Sequence, residues 1–288
     1  MEILIGGILL GGTYALLAMG LQLQYGVARI MNLANGEVLV AGSFGAFWFF
    51  TAAQVNPVLA IIILAPAAYV LNWLIYRFLL QPLVKRSKTQ GHLEVDSILS
   101  TFGISFIFIG LLHTIFGGEY FNYEYLEIPY EVFGEAYGIN RIIAFIGAVV
   151  IAAGLFLWLS KTRSGLKLRA VSVDPASARL VGIDVDKASA MAFSLGGAVT
   201  AAGGALISMF DTFDASIGIV FTMKALIIVI LGGVKEIKGT IVAAFVLGLA
   251  ETAVATLIDP GLTLAAAFLL FILVLLFRPQ GLFGREAS

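Results

Sequence analysis

The chain has 288 residues, of which 60% are hydrophobic and only 12% are charged. Soluble domains contain about 25% charged residues, and a single core of this length cannot bury so much apolar surface. The composition therefore excludes an ordinary water-soluble enzyme, a nucleic-acid-binding protein and a disordered protein, and it predicts a polytopic membrane protein. Because the 17 basic and 18 acidic residues nearly balance, net charge identifies no partner, and the lack of cysteine excludes disulfides and thiol chemistry.

Apolar runs long enough to cross a bilayer, about 20 residues each, recur along the whole chain. The first has no basic residue before Arg29, so we predict a retained helix and not a cleaved signal peptide. Two runs are short, and we predict eight or nine crossings in an all-α polytopic transmembrane helical bundle, a single transmembrane domain over residues 1–288. The candidate spans are Ile3–Leu23, Val38–Ala53, Val58–Leu80, Ile98–Phe116, Ile142–Leu159, Ala188–Phe210, Ile217–Leu231, Thr240–Ile258 and Leu262–Phe277.

Glycines suggest where helices break or pack closely. The short spans carry Gly42–Gly45 and Gly232–Gly233, a pattern typical of discontinuous helices beside a midplane pathway. Close helix packing explains the same glycines equally well. Gly7-x-x-x-Gly11 in the first span predicts a close helix contact, either inside the bundle or between two chains.

The distribution of charge predicts which side of the membrane each loop occupies. Basic residues collect in alternate loops, and cytoplasmic loops are enriched in Lys and Arg. We therefore expect the N-terminus outside and the C-terminus inside. The expected outer loop 117–140 is acidic and aromatic, which suits a membrane-interface belt or the docking of an extracytoplasmic protein. The basic residues expected inside are Arg29, Lys85, Arg86, Lys88, Lys161, Arg163, Lys167, Arg169, Arg179, Lys187, Lys235, Lys238, Arg278 and Arg285.

Motifs for covalent chemistry are absent from the sequence. It contains no G-x-x-x-x-G-K-[ST] loop for ATP, no H-E-x-x-H zinc motif and no G-x-S-x-G nucleophile. The two histidines, His92 and His113, are far apart in the sequence. We therefore predict no catalytic residue, no metal site and no cofactor on this chain, and no nucleic-acid partner.

Polar residues between the first two spans form the first candidate site. Asn32, Asn35 and Glu37 interrupt the apolar pattern, and polar groups at membrane depth must be paired or face water. They could line the translocation route or form its gate. They could equally start the second helix, with Asn35 as its N-cap and Glu37 in its first turn. We add to this candidate pathway Tyr14, Ser100 and Thr101.

Lys224 and Glu251 are ionisable residues inside two neighbouring predicted spans. Burying either charge alone in a membrane is costly, so pairing is the default expectation. We predict an ion pair that holds two helices together and is not a substrate site. The alternative is that the Lys224 side chain extends to the membrane surface.

The inner loop 161–187 contains the strongest local signal. Asp174 is a good N-cap, Pro175 suits a first helical position, and Gly182 suits the position after a helix end. These residues predict a short helix, Pro175–Val181. A helix of this length is marginal alone, so it must either lie on anionic lipid or dock on a cytoplasmic partner.

The same loop carries a resemblance to a known family. The run Asp174-Pro-Ala-Ser-Ala-Arg-Leu-Val-Gly-Ile-Asp-Val-Asp186 resembles the D-P-x-x-A-x-x-x-G-I-[ND]-V-[DN] segment of the branched-chain amino acid permeases of ABC importers, the LivH type. Four further matches follow the same order along the chain. They are Gly12–Leu16, Tyr25–Glu37, Lys224–Gly233 and Arg278–Gly284.

This resemblance implies a permease subunit that moves branched-chain or other hydrophobic amino acids, or a related solute such as urea, amides or aromatic acids. It implies a prokaryotic inner (plasma) membrane, a second LivM-like permease chain, two ATPase subunits that bind ATP-Mg, and an extracytoplasmic substrate-binding protein. The alternative is a self-sufficient secondary transporter or channel for a small polar solute. The residues implied to couple the chain to the ATPases are Asp174, Pro175, Ala178, Arg179, Leu180 and Gly182.

The sequence departs from the family at two points. Asn35 stands where the family usually has histidine, which leaves the exact substrate open. Lys235–Gly239 replaces the usual G-S-I-P-G, which alters a turn expected on the cytoplasmic side.

Overall fold

The computed structural model describes residues 2–87, 89–123, 125–132, 135–234, 236–278 and 280–283. Within them the chain forms a helical bundle with one small hairpin of two antiparallel strands. The helices are α1 (Glu2–Ala28), α2 (Asn35–Ala53), α3 (Pro57–Ile75), α4 (Gln81–Arg86), α5 (Gln90–Phe116), α6 (Ile139–Lys161), α7 (Arg163–Val173), α8 (Pro175–Leu180), α9 (Val185–Ile207), α10 (Gly218–Gly232), α11 (Ile237–Leu257) and α12 (Thr263–Phe277). The strands are β1 (Pro129–Val132) and β2 (Glu135–Gly138).

Eight helical stretches among the described residues are long and apolar enough to span a membrane. One of them joins α3 to α4 through a π-helical turn, Tyr76–Leu80, and covers 30 residues. α10 has only 15 residues, which at 1.5 Å per residue is shorter than the ~30 Å hydrocarbon core. The all-α polytopic bundle is thus confirmed, and the eight candidate spans agree with the predicted eight or nine crossings. The hairpin was not predicted from the sequence.

α9 lies at the centre of the bundle and packs against α1, α2 and α3. Small residues let the neighbouring backbones approach it closely, because any added side chain would collide. A methyl group on Gly204 would lie 2.0 Å from the Leu39 carbonyl oxygen of α2, and one on Gly196 would lie 2.4 Å from the Gly20 carbonyl oxygen of α1. In lipid such van der Waals packing replaces the hydrophobic effect as the force that associates helices.

The Gly7-x-x-x-Gly11 motif also mediates a close contact within the bundle. Gly7 faces the backbone of Leu249, and Gly11 faces that of Phe245, both on α11. Gly248 completes the contact, since a methyl group there would lie 2.6 Å from the Gly11 nitrogen. Of the two explanations left open by the sequence, the structure favours internal packing.

The helix interruptions lie elsewhere than the glycines suggested. Gly42–Gly45 sits inside the continuous helix α2, where Gly42 packs on the backbone of Ala201. The expectation of a helix break there is wrong, because these glycines allow neighbouring helices to pack closely against a continuous α2. The bundle is interrupted instead at 29–34, before α2, and at 208–217, before α10. Gly232 does end α10, and Gly233 follows with φ +96°.

Candidate functional site

The segment 29–34 turns back into the bundle and is fixed there by polar side chains. The Asn32 amide donates to Gln24 Oε1 at 2.9 Å, and its oxygen accepts from the Ala34 N–H at 3.0 Å. From α5, Thr101 Oγ1 accepts from the Leu33 N–H at 3.1 Å and lies 3.1 Å from the Met31 carbonyl oxygen. Asn32 and Thr101 therefore shape the turn that leads into α2.

Asn35 is the first residue of α2 and does not cap it. Ala34 occupies the N-cap position and provides no side-chain hydrogen bond. The predicted N-cap role of Asn35 is wrong, because its fully buried side chain points to other helices. Its oxygen accepts from Thr200 Oγ1 at 3.0 Å, and its amide lies 3.5 Å from the Leu17 carbonyl oxygen.

The first turn of α2 is capped from α10 instead. Thr222 Oγ1 accepts from the Gly36 N–H at 2.8 Å and donates to the Leu33 carbonyl oxygen at 3.1 Å. Gly218, the first residue of α10, lies directly against Gly36. A methyl group on Gly36 would collide with the Gly218 carbonyl oxygen. The beginnings of α2 and α10 thus meet inside the bundle, level with the middle of α1.

Glu37 lies in the first turn of α2 and is fully buried. Its Oε1 accepts from Ser105 Oγ at 3.1 Å, whereas Oε2 has no hydrogen-bond partner among the described residues. A methyl group on Gly218 would lie 2.2 Å from this Oε2. The carboxylate therefore faces the N-terminus of α10, whose dipole favours negative charge.

The structure does not bring all of the predicted pathway residues together. Asn32, Asn35, Glu37 and Thr101 come together around these helix starts. Tyr14 lies in the second cluster described below. Ser100 is half-buried, and the buried hydroxyls of α5 are those of Ser97, Thr101 and Ser105. Their i, i+4, i+8 spacing, which places them on one helix face, is the signal that could have identified Ser97 and Ser105.

Lys224, Glu251 and Tyr14 form the second cluster, one residue each from α10, α11 and α1. Lys224 Nζ lies 2.8 Å from Glu251 Oε2 and donates to the Tyr14 hydroxyl at 2.6 Å. The Tyr14 hydroxyl in turn donates to Glu251 Oε2 at 2.7 Å. The three residues are 9%, 2% and 3% exposed, so the charges are paired away from water.

A cavity of about 460 Å³ leads to this cluster from the end of the bundle where Glu2 lies. Arg141 and Asp211 line it nearer the opening. Burial raises the pKa of the Asp211 carboxyl above its ordinary value, and the positive charges of Lys224 and Arg141 oppose that rise. The Asp211 side chain is exposed to the cavity. The protein around the cavity still reduces its hydration, which is why its pKa rises.

At the opposite end, α8 forms as its caps predict, although it ends one residue earlier, at Leu180. Asp174 Oδ1 accepts from the Ala176 N–H at 2.9 Å, and Pro175 is the first helical residue. Gly182 follows the helix with φ +79°, a conformation that costs glycine little. Hydrogen bonds from Ser177 and Ala176 hold the pKa of the Asp174 carboxyl below its ordinary value.

The inner face of α8 is anchored and its outer face is open. Ala178 is 3% exposed, whereas Leu180 and Val181 are 88% and 75% exposed. Arg179 lies 3.9 Å from Asp186, which also contacts Lys85 of α4 at 3.4 Å. Pairs this exposed contribute little to stability. An apolar tip held on a fixed base is suited to docking.

A family model described as "Branched-chain amino acid transport system / permease component" matches residues 3–277. The chain belongs to this family. It is therefore a multi-pass membrane permease subunit of a transport system and not an enzyme.

Three relatives illustrate the similarity. The high-affinity branched-chain amino acid permease LivH of Salmonella typhimurium is 28% identical over 97% of this chain and 94% of its own length. BraD of Pseudomonas aeruginosa is also 28% identical, over 98% of this chain and 95% of its own. A probable branched-chain amino acid permease LivH of Methanocaldococcus jannaschii is 26% identical over 98% of this chain and 92% of its own length.

In this permease subunit, the loop 117–140 covers the end of the bundle with aromatic residues. Phe44 of α2 stacks on Phe116 with ring centroids 4.2 Å apart, and Phe121 and Phe213 contact it edge-on. Tyr123 is 6% exposed, whereas Tyr120 is 78% exposed. The aromatic residues of the loop thus divide between packing and exposure. Glu124, Phe133 and Gly134 lie outside the described residues.

Replacing Tyr123 with phenylalanine should destabilise this end of the bundle by about 1 kcal/mol. The Tyr123 hydroxyl lies 2.8 Å from Ser208 Oγ, a buried contact that joins the loop to the end of α9. The loss is limited because Ser208 also donates to the Ala205 carbonyl oxygen at 3.0 Å. Thermal unfolding in detergent measures the effect, and Tyr120→Phe, at an exposed position, is the matched control. Equal midpoints for the two variants would contradict the prediction.

The same contact has a defined pH dependence. Burial raises the pKa of Tyr123 to about 12, above the ordinary value of about 10. The folded state therefore retains this proton more strongly than the unfolded chain. Its contribution to stability should be constant below about pH 10 and decline between about pH 10 and pH 12. Tyr123→Phe should remove that decline.

Proposed function

We propose that this permease subunit moves branched-chain or other hydrophobic amino acids through the inner membrane of a prokaryote, as one of the two membrane halves of an ABC importer. The observation that carries the proposal is α8, a capped helix with an exposed apolar tip at one end of a bundle of this family. A self-sufficient transporter needs no such docking element. The relatives named LivH and BraD support the substrate class.

The proposed orientation places the N-terminus outside and the C-terminus inside. The charge at the two ends of the bundle supports it. The end that carries α8 is also where Lys85, Arg169 and Lys238 lie, and cytoplasmic ends are rich in such residues. The opposite end carries Glu2, Glu127 and Asp211, with Arg141 among them.

The proposed cycle assigns each partner to one surface. Two ATPase subunits bind ATP-Mg and dock on α8, so that their motion reaches the bundle through the base of α8 at α4 and α9. A substrate-binding protein delivers solute at the end covered by loop 117–140. A second, LivM-like permease completes the translocation route. The residues around the starts of α2 and α10 gate it, since both helices begin inside the bundle beside polar side chains.

Co-purification tests the assembly. The tagged chain is solubilised gently from its native membranes, and the proteins that accompany it are identified. We expect two P-loop ATPases and a second permease, and we expect the ATPases to be lost when residues 174–182 become a Gly/Ser stretch. A chain that purifies alone and still transports in ATP-free vesicles would establish the self-sufficient transporter instead.

Removing the N-cap of α8 should weaken the same docking without unfolding the bundle. Asp174→Ala should reduce ATPase co-purification about fivefold, the equilibrium shift typical of a lost N-cap. Asp174→Asn retains an acceptor oxygen and should stay close to the parent chain. The pKa of the Asp174 carboxyl is lowered in the folded chain. Capping is therefore complete at pH values above the ordinary pKa of aspartate, and it is lost only as the pH falls through the lowered pKa. Docking should therefore not change between about pH 6 and pH 8.

A further inference from the structure

The cavity above Lys224, Glu251 and Tyr14 has the size and the lining of a binding site. Its volume of about 460 Å³ lies within the range of about 300–1,000 Å³ found for small-molecule pockets. Leu9, Leu10 and Ala255 form apolar parts of its wall. The charged groups lie at its floor and near its opening, so an occupant would meet both kinds of surface.

The charged floor has unused bonding capacity. Glu251 Oε1 is buried and has no hydrogen-bond partner among the described residues, since the contacts to Lys224 and Tyr14 both use Oε2. The Lys224 ammonium has three donors, and the structure gives it two acceptors, the Tyr14 hydroxyl and Glu251 Oε2. An unmet buried acceptor is costly. Lys224 and Glu251 both line the cavity, so an occupant at its floor lies beside the groups that lack these partners.

The charges near the opening repeat the pattern of the floor. Asp211 and Arg141 add one group of each sign, as Glu251 and Lys224 do below. A simple cation or anion would be attracted by one member of each pair and repelled by the other. A solute that carries both charges a few ångströms apart is complementary to both pairs.

We propose that this cavity binds the head group of a zwitterionic amino acid, with the ammonium on Glu251 Oε1 and the carboxylate on Lys224. The apolar wall receives the side chain, which favours hydrophobic amino acids over polar ones. The inference rests on the proposed function for its substrate class. It adds a receiving site on this chain that is separate from the helix starts around Glu37.

Binding of L-leucine to the purified importer complex, with the substrate-binding protein removed, tests the proposal. Two analogues dissect the head group: 4-methylpentanoate lacks the ammonium and leucinol lacks the carboxylate. We expect saturable binding of L-leucine and at least tenfold weaker binding of both analogues. No binding of L-leucine, or equal binding of either analogue, would overturn the proposal.

Two sets of variants locate the site. Exchanging the charges, Lys224→Glu with Glu251→Lys, keeps an ion pair but reverses the polarity of the floor, and it should weaken leucine binding at least tenfold. Arg141→Gln with Asp211→Asn alters exposed groups only, so the bundle stays folded, and it should weaken binding about threefold or more. Thr114→Val, on the exposed side of α5, is the control. Leucine binding that is unchanged in both sets refutes the site.

Uptake measurements separate this proposal from the proposed function. If ATP-dependent leucine uptake and leucine binding both persist unchanged in the cavity variants, the proposed importer function is supported and the cavity site is refuted. If the parent complex takes up no amino acid but binds leucine, and the cavity variants weaken that binding, the cavity site is supported and the proposed function is refuted.

Discussion

Replacing Glu251 with glutamine should destabilise the permease by about 3 kcal/mol, the lower end of the range for breaking a buried ion pair. The substitution leaves the Lys224 charge without its partner, although 11% of the lysine side chain remains exposed to the cavity. It also replaces the carboxylate oxygen that accepts from Tyr14 at 2.7 Å. Unfolding of the purified chain in a detergent titration measures the loss.

The double variant Lys224→Met with Glu251→Gln tests whether the cost comes from the unpaired charge. With both charges removed, the chain should be more stable than Glu251→Gln alone, because no buried ion lacks a partner. The coupling energy from the complete double-mutant cycle should be at least about 1 kcal/mol. Additive effects, or Glu251→Gln with unchanged folding and uptake, would show that the pair does not hold α10 and α11 together.

Replacing Gly204 with alanine should destabilise the bundle by about 3 kcal/mol or more, at the upper end of overpacking effects. The new methyl group would lie 2.0 Å from the Leu39 carbonyl oxygen and 2.8 Å from the Leu39 carbonyl carbon. Both are backbone atoms, so α2 and α9 can relieve the overlap only by moving apart. That movement also stretches the bond from Ser43 Oγ to the Gly204 carbonyl oxygen, now 2.9 Å.

Gly110 of α5 provides the matched control for this substitution. A methyl group at Gly110 meets no atom within 4 Å. Gly110→Ala should therefore be neutral or stabilising by up to about 1 kcal/mol, since alanine favours helix formation over glycine. Yield of monodisperse protein and thermal unfolding in detergent report both variants. A Gly204→Ala chain as stable as Gly110→Ala would contradict the close contact of α2 with α9.

The features that the sequence predicted well are determined locally. Each long apolar run became a helix, because a bilayer requires backbone groups to be bonded within the segment. The short helix α8 was predicted almost to the residue, since Asp174, Pro175 and Gly182 act on their own neighbours. The pairing of Lys224 and Glu251 was expected from the cost of a single buried charge, and the two groups lie 2.8 Å apart.

The features that the sequence did not reveal depend on distant partners. Asn35 has the chemistry of an N-cap, yet the first turn of α2 is capped by Thr222, which follows Gly36 by 186 residues in the chain. Whether a glycine breaks a helix or permits close packing is decided by the neighbouring backbone, as Gly42 and Ala201 show. Tyr14 contacts Lys224 and Glu251 and does not lie with the polar residues around the start of α2. The sequence could not show this, because no local pattern links α1 to α11.

The paired helix starts around Glu37 also bear on ion leakage. Each helix N-terminus carries about +0.5 elementary charge, so α2 and α10 together offset one ionised carboxylate. An ionised Glu37 and the two termini then sum to about zero charge at this point of the bundle, with no net negative centre there to attract protons or sodium ions. In the proposed cycle, a route gated at these helix starts can open for an amino acid, whose own charges sum to zero, while the membrane potential is preserved.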